Sequence, residues 1–154
     1  MASNENALIE IEGLYQITLN NNFITVNPSM VQLLGYSSEN ALINSQIPAL
    51  DLCMSDKTVR ERVIDDLSQK GSIQNLEAKY IRKDGEYFWA NHSAKVIYDE
   101  NNKPSHIEGT FVDITERKEK EQAVRERESA QAEEKVAKAS AEAKSSFLAN
   151  MSHE

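Results

Sequence analysis

The sequence predicts an α+β domain, one five-stranded antiparallel sheet with helices on one face, continued by a long C-terminal helix. Three observations carry this expectation. Apolar residues recur at a helical period from about residue 28 to residue 70 and at a period of two beyond it. Lys83-Asp84-Gly85 is a hairpin signal that joins two of the alternating stretches. All five glycines lie at or before Gly109 and the last proline is Pro104, after which a charged, alanine-rich run has no breaker. The domain boundary therefore falls at Asp113–Glu116.

Residues 4–10 suggest a short leading helix. Leu14, Tyr15, Ile17 and Leu19, then Phe23, Ile24 and Val26, predict two strands around Asn20-Asn21-Asn22. Asn27-Pro28 starts a helix: Asn caps free amides, and Pro at the first position already has the helical φ. Met30, Val31, Leu33 and Leu34 form its apolar side, and Gly35 ends it in the left-handed region. Ser37-Ser38-Glu39 begins a further short turn. Asp56 caps a longer helix whose apolar residues are Val59, Val63, Ile64 and Leu67, and Gly71 closes it. Residues 73–82 and 86–98 are strands, and a last strand runs from Ser105 to about Ile114.

Charge is divided unevenly. Residues 1–115 carry 9 Lys+Arg against 16 Asp+Glu, and residues 116–154 carry 8 against 9. An acidic globular part argues against nucleic acid and anionic membrane as its partners, because phosphate binding needs a basic face. Cys53 is the only cysteine, which forbids an internal disulfide and fits a reducing, cytoplasmic setting. No apolar run reaches the ~18 residues of a membrane span. The N-terminus lacks the pattern of a signal peptide.

Alternation along 86–98 puts Phe88, Ala90, His92, Ala94 and Val96 on one face, taken as the inner one, with Trp89, Asn91, Ser93 and Lys95 opposite. Ala90, Ala94 and Gly109 are small and leave room for a ligand, with His92 and Phe111 beside it. The competing expectation is that larger neighbours such as Tyr80, Phe111 or Leu34 fill that room as ordinary core. A histidine on an apolar strand face is more often a hydrogen-bonded core group than a ligand. His106, at the start of a strand, is expected to be exposed. Three scattered His and one Cys give no metal-ligand spacing, and no Gly-rich phosphate loop is present.

Leu34-Gly35-Tyr36-Ser37, Glu77 with Arg82-Lys83-Asp84-Gly85, Trp89, and Asp113-Ile114-Thr115-Glu116-Arg117-Lys118, in that order, resemble a PAS domain and its exit motif over about residues 10–118. The resemblance implies a sheet of order 2-1-5-4-3 whose helices wrap a small pocket. It also implies that Asp113 and Thr115 fix how the chain leaves the last strand. Haem-binding relatives place their axial histidine on the long helix, and residues 57–69 contain none, so haem is disfavoured. Light-sensing relatives carry a reactive cysteine in an Asn-Cys-Arg-Phe-Leu context, unlike Cys53 in Asp51-Leu-Cys-Met-Ser, so covalent flavin is disfavoured and Cys53 is expected in the core. Non-covalent flavin stays open, with Trp89 suggestive; the ligand is otherwise not deducible.

Residues 144–154, Lys-Ser-Ser-Phe-Leu-Ala-Asn-Met-Ser-His-Glu, resemble the H-box of sensor histidine kinases. The resemblance implies that His153 accepts the γ-phosphoryl of ATP and that Glu154 takes the proton from the other ring nitrogen. The types suit that chemistry, since imidazole is a nucleophile near neutral pH and a neighbouring carboxylate stabilises the cation formed on attack. The family motif continues with an apolar residue and Arg-Thr-Pro, whereas this sequence stops at Glu154. It is therefore expected to be a fragment, inactive alone, of a kinase whose ATP-binding domain and response-regulator partner lie elsewhere.

Together these readings divide the chain into an N-terminal cap segment (1–10), a PAS sensor domain (11–115), a signalling helix (116–143) and the start of a phosphotransfer helix (144–154). Two sparse seams mark the helical run 116–154, one through Ala123, Ala130, Ala137, Ala141, Leu148 and Met151, the other through Ala132, Val136, Ala139 and Ala143. A parallel homodimeric coiled coil is expected, and the near-equal seams would let it shift register at small cost. The function expected is relay of a small-molecule or partner signal to His153. The alternatives are a ligand-free PAS module for dimerisation or partner docking, and a PAS domain regulating another output such as a cyclase or transcription factor.

Overall fold

The computed structural model describes residues 12–152. Five strands, β1 (Glu12–Thr18), β2 (Phe23–Val26), β3 (Ser72–Ile81), β4 (Tyr87–Tyr98) and β5 (Pro104–Asp113), form one antiparallel sheet of order β2-β1-β5-β4-β3. Four helices lie between β2 and β3: α1 (Pro28–Leu34), α2 (Glu39–Ile43), α3 (Ala49–Cys53) and α4 (Lys57–Lys70). A fifth, α5 (Thr115–Ser152), follows the sheet. The chain divides into two compact units between Thr115 and Glu116. The α+β fold, strand order included, is the expected one.

Local chemistry explains most boundaries. Asn27 Oδ1 accepts from the amides of Met30 and Leu14, both at 2.9 Å, and its Nδ2 donates to Glu12 O at 3.0 Å. One side chain thus caps α1 and anchors it to β1. Gly35 follows at φ 77°, a conformation costly for other residues. Ser38 caps α2, and Asp56 caps α4 through Thr58 N at 2.9 Å and Val59 N at 3.4 Å. The turn after β3 closes through Arg82 N to Glu86 O at 2.9 Å, with Gly85 at φ 90°.

Two expectations differ from the structure, and one helix was not foreseen. Helix α3 is not signalled locally: Pro48 provides no side-chain cap, and Asn21 of the β1–β2 turn accepts from Ala49 N through its carbonyl and from Leu50 N through Oδ1, both at 2.8 Å. The cap comes from 29 residues away. Ile64 is 44 % exposed, because α4 buries only Val63 and Leu67 fully and Val59 in part. His106 is half-buried, its ring between Ser105 Oγ at 3.0 Å and Glu108 Oε1 at 3.3 Å. The leading helix expected at 4–10 lies outside the described residues.

Considered by itself, α5 is a 38-residue helix, about 57 Å long at ~1.5 Å per residue. Its polar surface is laced by pairs one turn apart, including Arg117–Glu121 at 2.9 Å, Glu116–Lys120 at 3.0 Å and Gln122–Glu126 at 2.9 Å. Each adds a few tenths of a kcal/mol, about 0.2–0.5. Val136, Phe147, Leu148 and Met151 stand exposed along it.

Candidate functional site

Alternation along β4 puts Phe88, Ala90, His92 and Ala94 in the interior, all buried, and β5 adds Gly109 and Phe111 to the same face. The six residues expected there are therefore together. His92 is fully buried and pairs across the ladder with Phe111, whose ring lies 4.2 Å away centroid to centroid at 39°. Tyr15 Oη is 2.6 Å from its Nε2, and Tyr80 Oη is 3.0 Å from its Nδ1. Tyr80 also meets Phe111 edge-on at 4.6 Å.

Tyr15 is the member that sequence reasoning missed. It faces Gly109 in the β1–β5 register, and its ring lies directly over that glycine, so a Cβ there would overlap its Cζ, Oη and Cε1. The room left by Gly109 is thus occupied by a side chain of this protein. The sequence places Tyr15 on the first strand, but only the cross-strand register shows what it covers.

Burial drives the titration of this cluster. It holds the His92 imidazolium down to about 3, so the ring is neutral near pH 7. It also pushes Tyr15 and Tyr80 upward, with the nearby Cys53 adding to both. The Cys53 thiol rises to about 12, chiefly by burial and against a lowering from its own backbone hydrogen bond, and is no nucleophile.

A neutral imidazole has one donor and one acceptor nitrogen. In one tautomer Tyr15 donates to Nε2 and Nδ1–H donates to Tyr80; in the other the directions reverse. Protonation would make both nitrogens donors and remove the acceptor that a tyrosine hydroxyl now uses. Geometry and burial both favour the neutral ring.

The second constellation is the exit of the sheet. Asp113 Oδ1 accepts from Thr115 N at 2.9 Å and Thr115 Oγ1 at 2.6 Å, while Arg82 Nη2 lies 3.4 Å from Asp113 Oδ2. Thr115 Oγ1 in turn accepts from Trp89 N at 2.9 Å, and Trp89 O accepts from Ile114 N at 2.9 Å. The expected pair, Asp113 and Thr115, is in direct contact and latched onto β4. A capping bond of this type contributes ~1 kcal/mol, and a half-exposed ion pair adds up to ~1 kcal/mol.

A groove of about 700 Å³ crosses the sheet. Its lining includes the exposed Leu14, Thr25, Gln74 and Lys95, and Tyr15, Ala94 and Gly109 also border it, but not His92, Tyr80 or Phe111. Gln16 Nε2 donates there to Glu108 Oε1 at 2.9 Å. Size alone does not make this groove the site, because the perturbed groups lie in the interior. Among the described residues no group of three or more His, Cys, Asp or Glu could hold a metal ion. No described helix is long and apolar enough to cross a membrane. His153 and Glu154 lie outside the described residues.

Residues 23–111 match a family model described as the PAS fold. The chain belongs to the PAS fold family. The chain is 35 % identical over 71 residues to sporulation kinase C of Bacillus subtilis (strain 168). That alignment covers 46 % of this chain and only 17 % of the kinase. Among solved structures, the PAS domain of a Colwellia psychrerythraea protein superposes with a TM-score of 0.60 at 23 % identity, over 75 % of this chain and 99 % of that one. The blue-light activated histidine kinase of Erythrobacter litoralis EL346 gives a TM-score of 0.59 at 20 % identity, over 69 % of this chain and 34 % of that one. These superpositions establish the shared PAS fold. The chain contains a PAS domain and has sequence similarity to a sporulation kinase.

Proposed function

We propose that the chain is the sensory part of a two-component sensor histidine kinase. The PAS domain passes a ligand or partner signal through residues 116–143, paired with a second copy as a parallel coiled coil, to His153 in the phosphotransfer helix begun at 144. The observation that carries this reading is the run Phe147-Leu-Ala-Asn-Met-Ser-His-Glu, whose residues up to Ser152 close the helix that starts at Thr115. The similarity to sporulation kinase C supports it.

In the reaction, a ring nitrogen of His153 attacks the γ-phosphorus of ATP. An N–P bond forms, the P–O bond to ADP breaks, and the proton on the other ring nitrogen passes to Glu154. The phosphoryl group then moves to an aspartate of a response-regulator receiver. Such transfers depend on positioning and charge stabilisation, so a change in helix geometry can switch them. The ATP-binding domain belongs to the whole protein, in a cytoplasmic setting. The test is labelling of the whole protein from ATP followed by site mapping. Acid-labile label on His153, lost in His153→Gln and absent from the 154-residue chain alone, is expected; label that survives His153→Gln overturns the assignment.

One observation favours a second reading, a PAS module answering to a protein partner: the Tyr15 ring occupies the room over Gly109. Native mass spectrometry of the fresh chain separates the two. Extra mass lost on denaturation would identify a small-molecule ligand. No added mass would favour the partner-operated module, while a mass near twice 17.4 kDa supports pairing in either reading.

A further inference from the structure

Arg82 does more than face Asp113. Helix α1 ends with carbonyls that no helix amide can take. Leu34 O accepts from Lys83 N at 2.9 Å, and Leu33 O accepts from Arg82 Nη1. The other arm of the same guanidinium, Nη2, reaches Asp113 Oδ2 at 3.4 Å, and its carbon lies 4.5 Å from the centroid of the buried Phe88 ring. A single planar group therefore spans the negative end of α1 and the carboxylate at the exit. Asp113 presents its second oxygen to Thr115, so Arg82 and Thr115 between them fix the carboxylate plane.

The far side of α1 is embedded in the core. Met30 and Leu34 are fully buried, and Met30 lies so close to Gly13 that a Cβ there would be 2.9 Å from its Sδ. A small displacement of α1 moves Leu33 O, and the guanidinium cannot follow without moving relative to Asp113. We propose that Arg82 is the positioning residue through which the last turn of α1 sets the Asp113–Thr115 latch, making α1 the input element of the exit. This rests on the reading that the latch transmits the signal.

The experiment uses the 154-residue chain and needs neither ATP nor a kinase domain, so its failure is distinct from failure of the kinase reading. The amide shifts of Thr115 and Trp89 are recorded by NMR for Val31→Ala, which perturbs α1 from its buried side, with Arg82, Arg82→Gln and Arg82→Lys as backgrounds. Val31→Ile supplies a second perturbation in case the first unfolds the domain. The expected result is a displacement of both amides with Arg82 that is lost in both Arg82 variants. Lysine keeps the charge but has a single nitrogen, so a purely electrostatic or structural role would leave the displacement intact with Arg82→Lys. Equal displacement in all three backgrounds, or none with Arg82 present, overturns the proposal.

Discussion

A methyl group on Gly109 would enter the space held by the Tyr15 ring. Gly109 sits inside β5, where replacing glycine normally stabilises by about 0.5–1 kcal/mol through backbone entropy. Here the sign reverses. Overpacking a filled interior costs about 1–3 kcal/mol. Tilting Tyr15 away also breaks its 2.6 Å bond to His92 and leaves a buried ring nitrogen unpaired, a further ~1–3 kcal/mol. The net expectation for Gly109→Ala is a loss of about 1–5 kcal/mol. For a domain of this size even 2 kcal/mol lowers Tm by about 8–16 °C. Thermal and urea unfolding followed by circular dichroism would measure it, together with Tyr15→Val and the double variant. In the Tyr15→Val background the added methyl should cost much less, because its obstacle is gone. A neutral or stabilising Gly109→Ala in the otherwise unchanged chain would refute the packing of Tyr15 on Gly109.

Two further outcomes follow from the same geometry. His92 stays neutral in the fold down to about pH 3, while the unfolded chain takes its proton near ~6.5. Its contribution is thus complete above ~6.5 and is lost as pH falls toward about 3, at up to ~1.4 kcal/mol per pH unit. Urea midpoints at pH 7 and 4.5 should show the unchanged chain losing about 3 kcal/mol more than His92→Gln; parallel losses would mean the ring is charged or exposed in the fold. Asn21, at φ 69°, caps α3 from a distance, so Asn21→Ala should cost ~2 kcal/mol and Asn21→Gly, which keeps the left-handed turn, about half of that. Equal stability of all three chains by urea titration would contradict the capping role.

Much of the fold could be read from the sequence because its signals were local. The Asn27-Pro28 start, the glycines at 35 and 71, Asp56, and the turn at 83–85 each act within a few residues. Helix α3 could not be read, since its amides are satisfied by Asn21 in another element. Ile64 kept the helical period yet faces outward, because periodicity reports a stripe and not its depth. The interior was legible to the same extent. Alternation put His92 inside, but its two hydroxyl partners lie 77 and 12 residues away in sequence and depend on sheet order. The exit motif, confined to Asp113 and Thr115, was legible as a pair; Arg82, 31 residues upstream, required the fold.

The central claim is that the PAS domain controls phosphorylation of His153 through its exit. The direct test is ATP-dependent labelling of His153 in the whole protein, compared with Asp113→Ala after unfolding measurements show that the PAS domain remains folded. Labelling that changes while the fold is kept, and that no longer responds to whatever signal the unaltered protein follows, is the predicted result. Identical labelling and identical response in the two proteins would contradict it.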